Sequence, residues 1–248
     1  MQPPSPPLVQ VRQLSYTYAD GTLALDNINF DMSAGETVVL LGANGSGKTT
    51  FVLHLNGLLL GQGHVTVGGV VVRKETLTEV RRRVGVVFQN SDEQLFMSSV
   101  LEDVAFGPQN LGIPPSQAYA VAQQMLERVG LPDAGHKVPY HLSSGEKKRV
   151  AIAGVLAMQP DVLILDEPTV YLDPPGQRTL IGLLRELPQP KIIVTHDMVL
   201  ARAVGTRAVF FSKGRIAGEG KVASVIEEFQ WDASDDQPIG PSACAPPV

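Results

Sequence analysis

One cysteine, no long apolar run and no basic surplus narrow the reading of this 248-residue chain before any motif does. A lone thiol cannot form a disulfide within the chain, and Cys244 lies in a Pro-, Ser- and Asp-rich tail, which fits a reducing cytoplasm and offers neither a metal nor a redox site. The apolar runs are only several residues long, against the roughly 20 a helix needs to cross a bilayer, and Met1 to Pro7 lacks the basic and apolar plan of a signal peptide. Any membrane role is therefore expected to come through partners. The net charge of -5 argues against a broad nucleic-acid surface, and no nucleic acid is expected as a partner. What is present is a chain 44% hydrophobic and 18% charged, enough to bury a sizeable core as one α/β domain with appendages or as two small lobes.

The densest motif is Gly42-Ala43-Asn44-Gly45-Ser46-Gly47-Lys48-Thr49-Thr50, spaced G-x4-G-K-T, directly after the apolar run Thr37 to Leu41. The order predicts a strand turning into a helix through a glycine loop, with Phe51, Leu55, Leu58 and Leu59 supplying an amphipathic helix. Glycines let successive N–H groups turn toward one point, and a helix start adds unpaired N–H groups and a positive dipole end. Phosphates are expected there, with Lys48 reaching the β- and γ-phosphates and the Thr49 hydroxyl ligating Mg²⁺.

The flanking segments alternate as strands from Leu8 to Phe30, with Leu14, Tyr16 and Tyr18 on one parity and a turn at Asp20-Gly21. Tyr18, at the strand end, is either a core ring or a stacking face for a base. Gly63 to Val72 reads as a hairpin and Leu77 to Arg83 as a short basic helix. Val84 to Phe88 reads as a buried strand delivering Gln89 to the edge where α/β sheets bind ligands, a candidate contact to Mg²⁺ or to the attacking water. Residues 96–157 read as mostly helical, broken at Gly107-Pro108 and Pro114-Pro115, with an apolar stripe of Ala118, Val121, Ala122, Met125 and Val129. They form an expected helical lobe inserted in a strand-rich order.

Within that lobe Leu142-Ser143-Ser144-Gly145-Glu146 carries a capping box, Ser143 with Glu146. Lys147, Lys148 and Arg149 follow in the first turn, where each exposed cation opposes the helix dipole by roughly 0.3–1 kcal/mol. The arrangement predicts a second element that faces a phosphate. Asp161 to Glu167 is an apolar strand closing on two carboxylates. Asp166 is expected to hold Mg²⁺, and Glu167 to accept a proton from the water attacking the γ-phosphate. Lys191 to Thr195 is another buried strand, and it brings His196 to the same edge. Val209 to Gly220, turning at Lys213-Gly214, reads as a terminal hairpin; residues 1–7 and 232–248 are expected to be disordered.

Taken in order, these segments resemble the ATP-binding subunit of ABC transporters over nearly all of residues 8–229. The aromatic loop corresponds to Tyr18, Walker A to Gly42 through Thr50, the Q-loop to Gln89, and the signature to Leu142 through Glu146. Walker B ends at Asp166-Glu167, the D-loop is Leu172-Asp173 and the switch histidine is His196. The resemblance implies an α/β P-loop NTPase of the ABC ATPase type over residues 8–231: a mixed sheet core, an antiparallel β subdomain and an inserted helical lobe. It implies ATP and Mg²⁺ as cofactors, Glu167, His196 and Gln89 in catalysis, and Thr49, Gln89 and Asp166 around the metal. It also implies a head-to-tail dimer with the same or a related chain, in which the signature of one subunit covers the nucleotide on the other.

Gln89 to Phe96, Val100 to Asn110 and Gly145 to Met158 are similar to the energy-coupling-factor class, especially the cobalt and nickel uptake ATPases. That likeness implies an integral membrane coupling protein, a small substrate-binding membrane subunit, and a place on the cytoplasmic face of the cell membrane. A vitamin is the alternative cargo. Two positions depart from the family pattern: Ser144 stands where the signature has the first of two glycines, and Tyr171 where a small residue precedes Leu172-Asp173. A Cβ at position 144 costs on the order of 1 kcal/mol if the site needs a positive φ, so an active but altered ATPase is expected. Tyr171 is expected to make a contact across the dimer. A soluble ABC clamp is the competing reading, disfavoured by the single nucleotide unit, the lack of a long coiled-coil insertion and the lack of basic surplus. A small P-loop kinase would leave the signature and Glu167 without a purpose.

Overall fold

Strand β3 (Thr37–Leu41) is buried at every position, as its unbroken apolar run requires of a strand covered on both faces. In the computed structural model, which describes residues 6–231, β3 lies inside a six-stranded sheet of order β10-β9-β3-β8-β7-β6. The strands β6 (Val84–Val87), β7 (Val162–Asp166), β8 (Lys191–Val194), β3 and β9 (Arg207–Ser212) run parallel. Edge strand β10 (Arg215–Gly220) is the antiparallel return of the terminal hairpin, turning at Lys213 and Gly214, both at positive φ. A second, antiparallel sheet of order β2-β1-β4-β5 is formed by β1 (Val9–Thr17), β2 (Leu23–Met32), β4 (Gln62–Val67) and β5 (Val70–Val71). The tails expected at 1–7 and 232–248, Cys244 included, lie outside the described residues except for Pro6 and Pro7.

Helix α1 (Lys48–Leu55) fills the space between the two sheets, where Phe51 packs its ring against Phe30 from one and Phe211 from the other. That position corrects the amphipathic reading of α1. The helix is buried nearly all round and ends at Leu55, because Asn56 caps it and Gly57 turns to φ 68; Leu58, beyond the end, is exposed. α2 (Leu77–Arg83) is the short basic helix expected, and Arg83 pairs with Glu79 and Asp161.

Three helices occupy the region read as a helical lobe: α3 (Val100–Asn110), α4 (Pro115–Arg128) and α5 (Ser144–Ala157). Gly107-Pro108 does not break α3. The buried Pro108 sits near the helix end, and a capping box of Ser99 and Glu102 secures the start. Pro115 stands at the first turn of α4, where its missing N–H costs nothing. Ala118, Ala122 and Leu126 form the buried stripe of α4, while Val121 and Met125 are only partly buried and Val129 lies just past the end. The remaining helices are α6 (Pro174–Glu186), α7 (Met198–Val204) and α8 (Val222–Glu228), the last absent from the sequence reading.

Because Leu126 is fully buried among the helices of this region, Leu126→Ala is expected to lower the free energy of unfolding by about 2–5 kcal/mol, read from the urea midpoint.

Candidate nucleotide site

The glycine loop is shaped by the strands it touches. Gly42 turns at φ 132, and a Cβ there would stand 2.1 Å from the carbonyl oxygen of Phe211, so no other residue fits. Gly47, at φ 106, caps α1. The loop then opens on a cleft of about 620 Å³ lined by Tyr18, Asn44 through Thr50, Gln89, Asp166, Glu167 and His196. Gly42 is buried beneath the loop, and Ala43 is exposed.

Lys48 folds back into the loop, where Nζ donates to the carbonyls of Gly42 (2.6 Å) and Ala43 (2.9 Å). Burial lowers its pKa, opposed by the charges of Glu167 and Asp166. The Ser46 hydroxyl oxygen is buried with no partner among the described residues, a polar atom suited to an incoming oxyanion. The Thr49 hydroxyl donates to Asp166 Oδ2 at 3.1 Å, so a hydroxyl and a carboxylate meet on the cleft floor. An all-oxygen donor set of this kind fits a hard cation such as Mg²⁺. Burial raises the Asp166 pKa, opposed by the Thr49 hydrogen bond and by Lys48 and Lys148. At the rim, Tyr18 shares a 3.0 Å hydrogen bond with the Thr50 hydroxyl and packs edge-on against Tyr16, which leaves its ring part-exposed to the cleft.

Glu167 follows β7 at φ 42, a strained backbone for a side chain of this size. Its carboxylate accepts the His196 backbone N–H at 3.2 Å and lies 3.4 Å from His196 Nε2. Burial raises the Glu167 pKa against the His196 backbone hydrogen bond, moving the group toward the range in which a carboxylate serves as a proton acceptor near neutral pH. Burial and the neighbouring Lys48 both lower the pKa of His196, which favours a neutral ring.

The signature does not join this cleft. Leu142 is buried; the Ser143–Glu146 capping box is formed, with Glu146 N–H donating to Ser143 Oγ at 3.2 Å and Ser143 N–H to Glu146 Oε2 at 2.9 Å. Ser144 instead lines a neighbouring cleft of about 380 Å³ with Lys147 and Tyr171, which shares only Gln89, Lys148's neighbour, and Val170 with the loop side. The expectation that Lys147, Lys148 and Arg149 await a phosphate is corrected, because each has partners in its own chain. Lys147 pairs with Asp92 at 2.6 Å, and Arg149 donates to the carbonyls of Val129 and Gly130. Lys148 is 2% exposed and donates to the carbonyls of Phe88 (3.0 Å) and Gln89 (2.7 Å); burial pushes its pKa down to about 8. Lys148 is the residue whose role sequence reasoning missed: the sequence reads it as a cation facing a phosphate, and it is instead a buried anchor of α5 on the 88–89 backbone. The signal was its place on the buried stripe of α5 with Ala151, Ile152 and Val155.

Ser144 occupies the first turn of α5 in helical conformation, so the backbone penalty considered for a Cβ there does not arise. Tyr171 is 73% exposed at φ 66, the left-handed region that a small residue or glycine occupies more cheaply. Leu172 packs partly buried against the helical core, and the Asp173 carboxylate caps α6 by accepting the Gly176 N–H at 2.8 Å.

A glycine loop on a strand-to-helix turn, with a carboxylate pair and a histidine carried to the same sheet edge by parallel strands, defines a P-loop nucleoside triphosphatase. The comparisons with known proteins specify which kind. The sequence profile described as "ABC transporter" matches residues 25–170. The energy-coupling factor transporter ATP-binding protein EcfA of Methanocaldococcus jannaschii is 44% identical over 229 residues, covering 90% of this chain and 82% of that one. Among solved structures, cbiO1 from Clostridium perfringens, part of the ABC transporter complex cbiONQ, superposes with a TM-score of 0.82 at 37% identity, covering 91% of this chain and 93% of that one. A dimeric ATP-binding cassette in a post-hydrolysis state with ADP and phosphate superposes with a TM-score of 0.77 at 29% identity, covering 86% and 98%. The chain belongs to the ATP-binding family of ABC transporters and is an ATPase of that fold.

Lys148→Met leaves the carbonyls of Phe88 and Gln89 without their donor, so a loss of about 1–3 kcal/mol in unfolding free energy is expected by urea titration.

Proposed function

We propose that this chain is the ATP-hydrolysing subunit of an energy-coupling-factor importer, working as a dimer that encloses two MgATP and drives uptake of a small cargo, cobalt or nickel ions. The observation that carries the dimer is the half-built site. Loop, carboxylates, Gln89 and His196 share one cleft, whereas the signature opens on another. Gly145 adds to this: among the described residues a Cβ there would meet only Leu172, at 3.9 Å, an ordinary contact that does not call for a glycine at that position. A phosphate brought by a second subunit does. Tyr171, exposed beside Ser144, is then a residue of the dimer interface.

In this reading Lys48 exchanges its two loop carbonyls for the β- and γ-phosphates, and the Ser46 hydroxyl gains a phosphate oxygen as partner. The Tyr18 ring stacks on the base. Thr49, Asp166 and Gln89 would hold Mg²⁺, which neutralises phosphate charge. Glu167 takes a proton from the attacking water, and His196, fixed against Glu167 by its backbone N–H, contacts the γ-phosphate. The enclosed γ-phosphate favours the closed dimer, and its release reopens it.

Coupling to a membrane partner is supported by a separate groove of about 510 Å³. It is lined by Leu95, Phe96, Phe106, Leu111, Val150 and Met158, with Arg81 and Arg82 at its rim. Phe96 is 62% exposed and touches Phe106 edge to face, an apolar surface that a membrane coupling protein would cover. Among the described residues no helix is long and apolar enough to cross a membrane, so the chain would reach the cytoplasmic membrane face through that protein. Cobalt or nickel as cargo rests on the resemblance of residues 89–96, 100–110 and 145–158 to the metal-uptake ATPases of the energy-coupling-factor class. Uptake of labelled Co²⁺, Ni²⁺ and vitamins by cells expressing the chain with its membrane partners tests this. Metal uptake is expected, and vitamin uptake alone would replace the cargo.

Glu167→Gln is expected to keep ATP affinity, lose turnover by at least about 10²-fold and accumulate as a dimer in MgATP, read by light scattering; wild-type turnover would remove Glu167 from the role of base. Ser144→Gly, at an exposed helical position, is expected to keep ATP turnover in the assembled transporter at the wild-type level or above. Loss of turnover would show that the Ser144 hydroxyl is needed.

A further inference from the structure

The only tryptophan of the chain lies against the site without belonging to any of its motifs. Beyond α8 the backbone closes with Trp231 N–H donating to the carbonyl of Ile226 at 2.9 Å, which turns the indole back toward the sheet. Its ring lies 5.8 Å from the imidazole of His196 at a tilt of 33°, and it meets Phe210 edge to face at 5.1 Å. Phe210 in turn stacks on Phe229 at 4.0 Å with the rings nearly parallel. The indole therefore rests on a fixed aromatic base. Phe210 belongs to β9 and pairs in register with Leu41, the residue just before the glycine loop.

His196 is thus held from two directions. Glu167 engages its backbone N–H and stands 3.4 Å from Nε2, while Trp231 covers the ring from the side of α8. The backbone hydrogen bond fixes where the residue sits. Two contacts restrain how the ring turns about its side-chain bonds: the Glu167 carboxylate 3.4 Å from Nε2 at one edge, and the indole packed beside the ring.

We propose that Trp231 is a positioning residue for ATP hydrolysis: its indole sets the orientation in which the His196 imidazole meets Glu167 and the γ-phosphate, so that α8 controls the rate. The inference rests on the reading of His196 as a γ-phosphate contact. Trp231 packs against the cluster that contains Phe210 and Phe229, but that contact accounts for only one side of the ring. The indole spans from that cluster to a histidine whose side chain is 38% exposed in the cleft.

Steady-state kinetics of the full-length chain test this. An aromatic pair contributes roughly 0.5–1.5 kcal/mol, so Trp231→Ala is expected to lower kcat about two- to tenfold with KM for MgATP unchanged, and Trp231→Phe to restore most of the loss. Because Trp231 is the sole tryptophan, the unmodified protein offers a second readout that needs no variant of the indole. Its emission should shift when a non-hydrolysable MgATP analogue binds, and the shift should vanish in His196→Ala even though calorimetry still detects binding. A wild-type kcat in Trp231→Ala, or an emission shift that survives in His196→Ala, would overturn the inference. Wild-type turnover in His196→Ala would instead overturn the underlying role of His196. Loss there beside wild-type kcat in Trp231→Ala would leave that role standing and remove Trp231 from it.

Discussion

The contact of Gly42 with the carbonyl of Phe211 is the constraint on which the site depends. At 2.1 Å from that oxygen there is no room for a Cβ, so the loop leaves β3 by the tight path that only glycine takes and lies flush against β9. That path sets where α1 begins, and α1 sets where Lys48, Thr49 and Thr50 stand. Any bulkier residue at position 42 would push the loop away from the sheet and carry all three with it. The parallel order of the strands does the rest, since β6, β7 and β8 all end at one edge and deliver Gln89, Asp166 with Glu167, and His196 beside the loop.

The same gathering concentrates opposed charges on partly buried side chains. Lys48, Lys148, Asp166 and Glu167 are each shifted by burial toward the neutral form, and each is partly restored by a neighbour of opposite charge or by a hydrogen bond. Such a cluster is costly to fold and is preorganised once folded. The strain at Glu167, at φ 42, belongs to the same account: the backbone bends unfavourably to aim a carboxylate into the cleft, and the hydrogen bond to His196 holds it there.

Most of the fold was legible in the chain because its signals are local. Unbroken apolar runs marked β3, β6, β7 and β8, and the polar residue after each run marked the edge at which they end. Lys213-Gly214 marked a hairpin, and Ser143 with Glu146 marked the start of α5. Where the reading failed, the deciding term was tertiary. Leu58 continues a helical period that Asn56 and Gly57 cut short, and Pro108 reads as a breaker yet lies buried near the end of α3. Lys147, Lys148 and Arg149 read as a free cationic patch only until Asp92, Phe88, Gln89, Val129 and Gly130 are folded against them. Trp231 carried no signal at all, since its meaning lies wholly in the ring it touches.

Lys148 gives α5 a mechanical character. The helix starts at the cleft where Ser144 and Tyr171 are exposed and ends at the groove lined by Val155 and Met158, and between them one side chain pins it to the backbone of Phe88 and Gln89. At 1.5 Å per residue the arm from that pin to Ser144 is about 6 Å and the arm to Ala157 about 14 Å. A tilt about the pin would move the far end in the opposite sense and by about twice as much. In these proportions the helix has the geometry of an unequal lever, its short arm at the Ser144 cleft and its long arm at the Met158 groove.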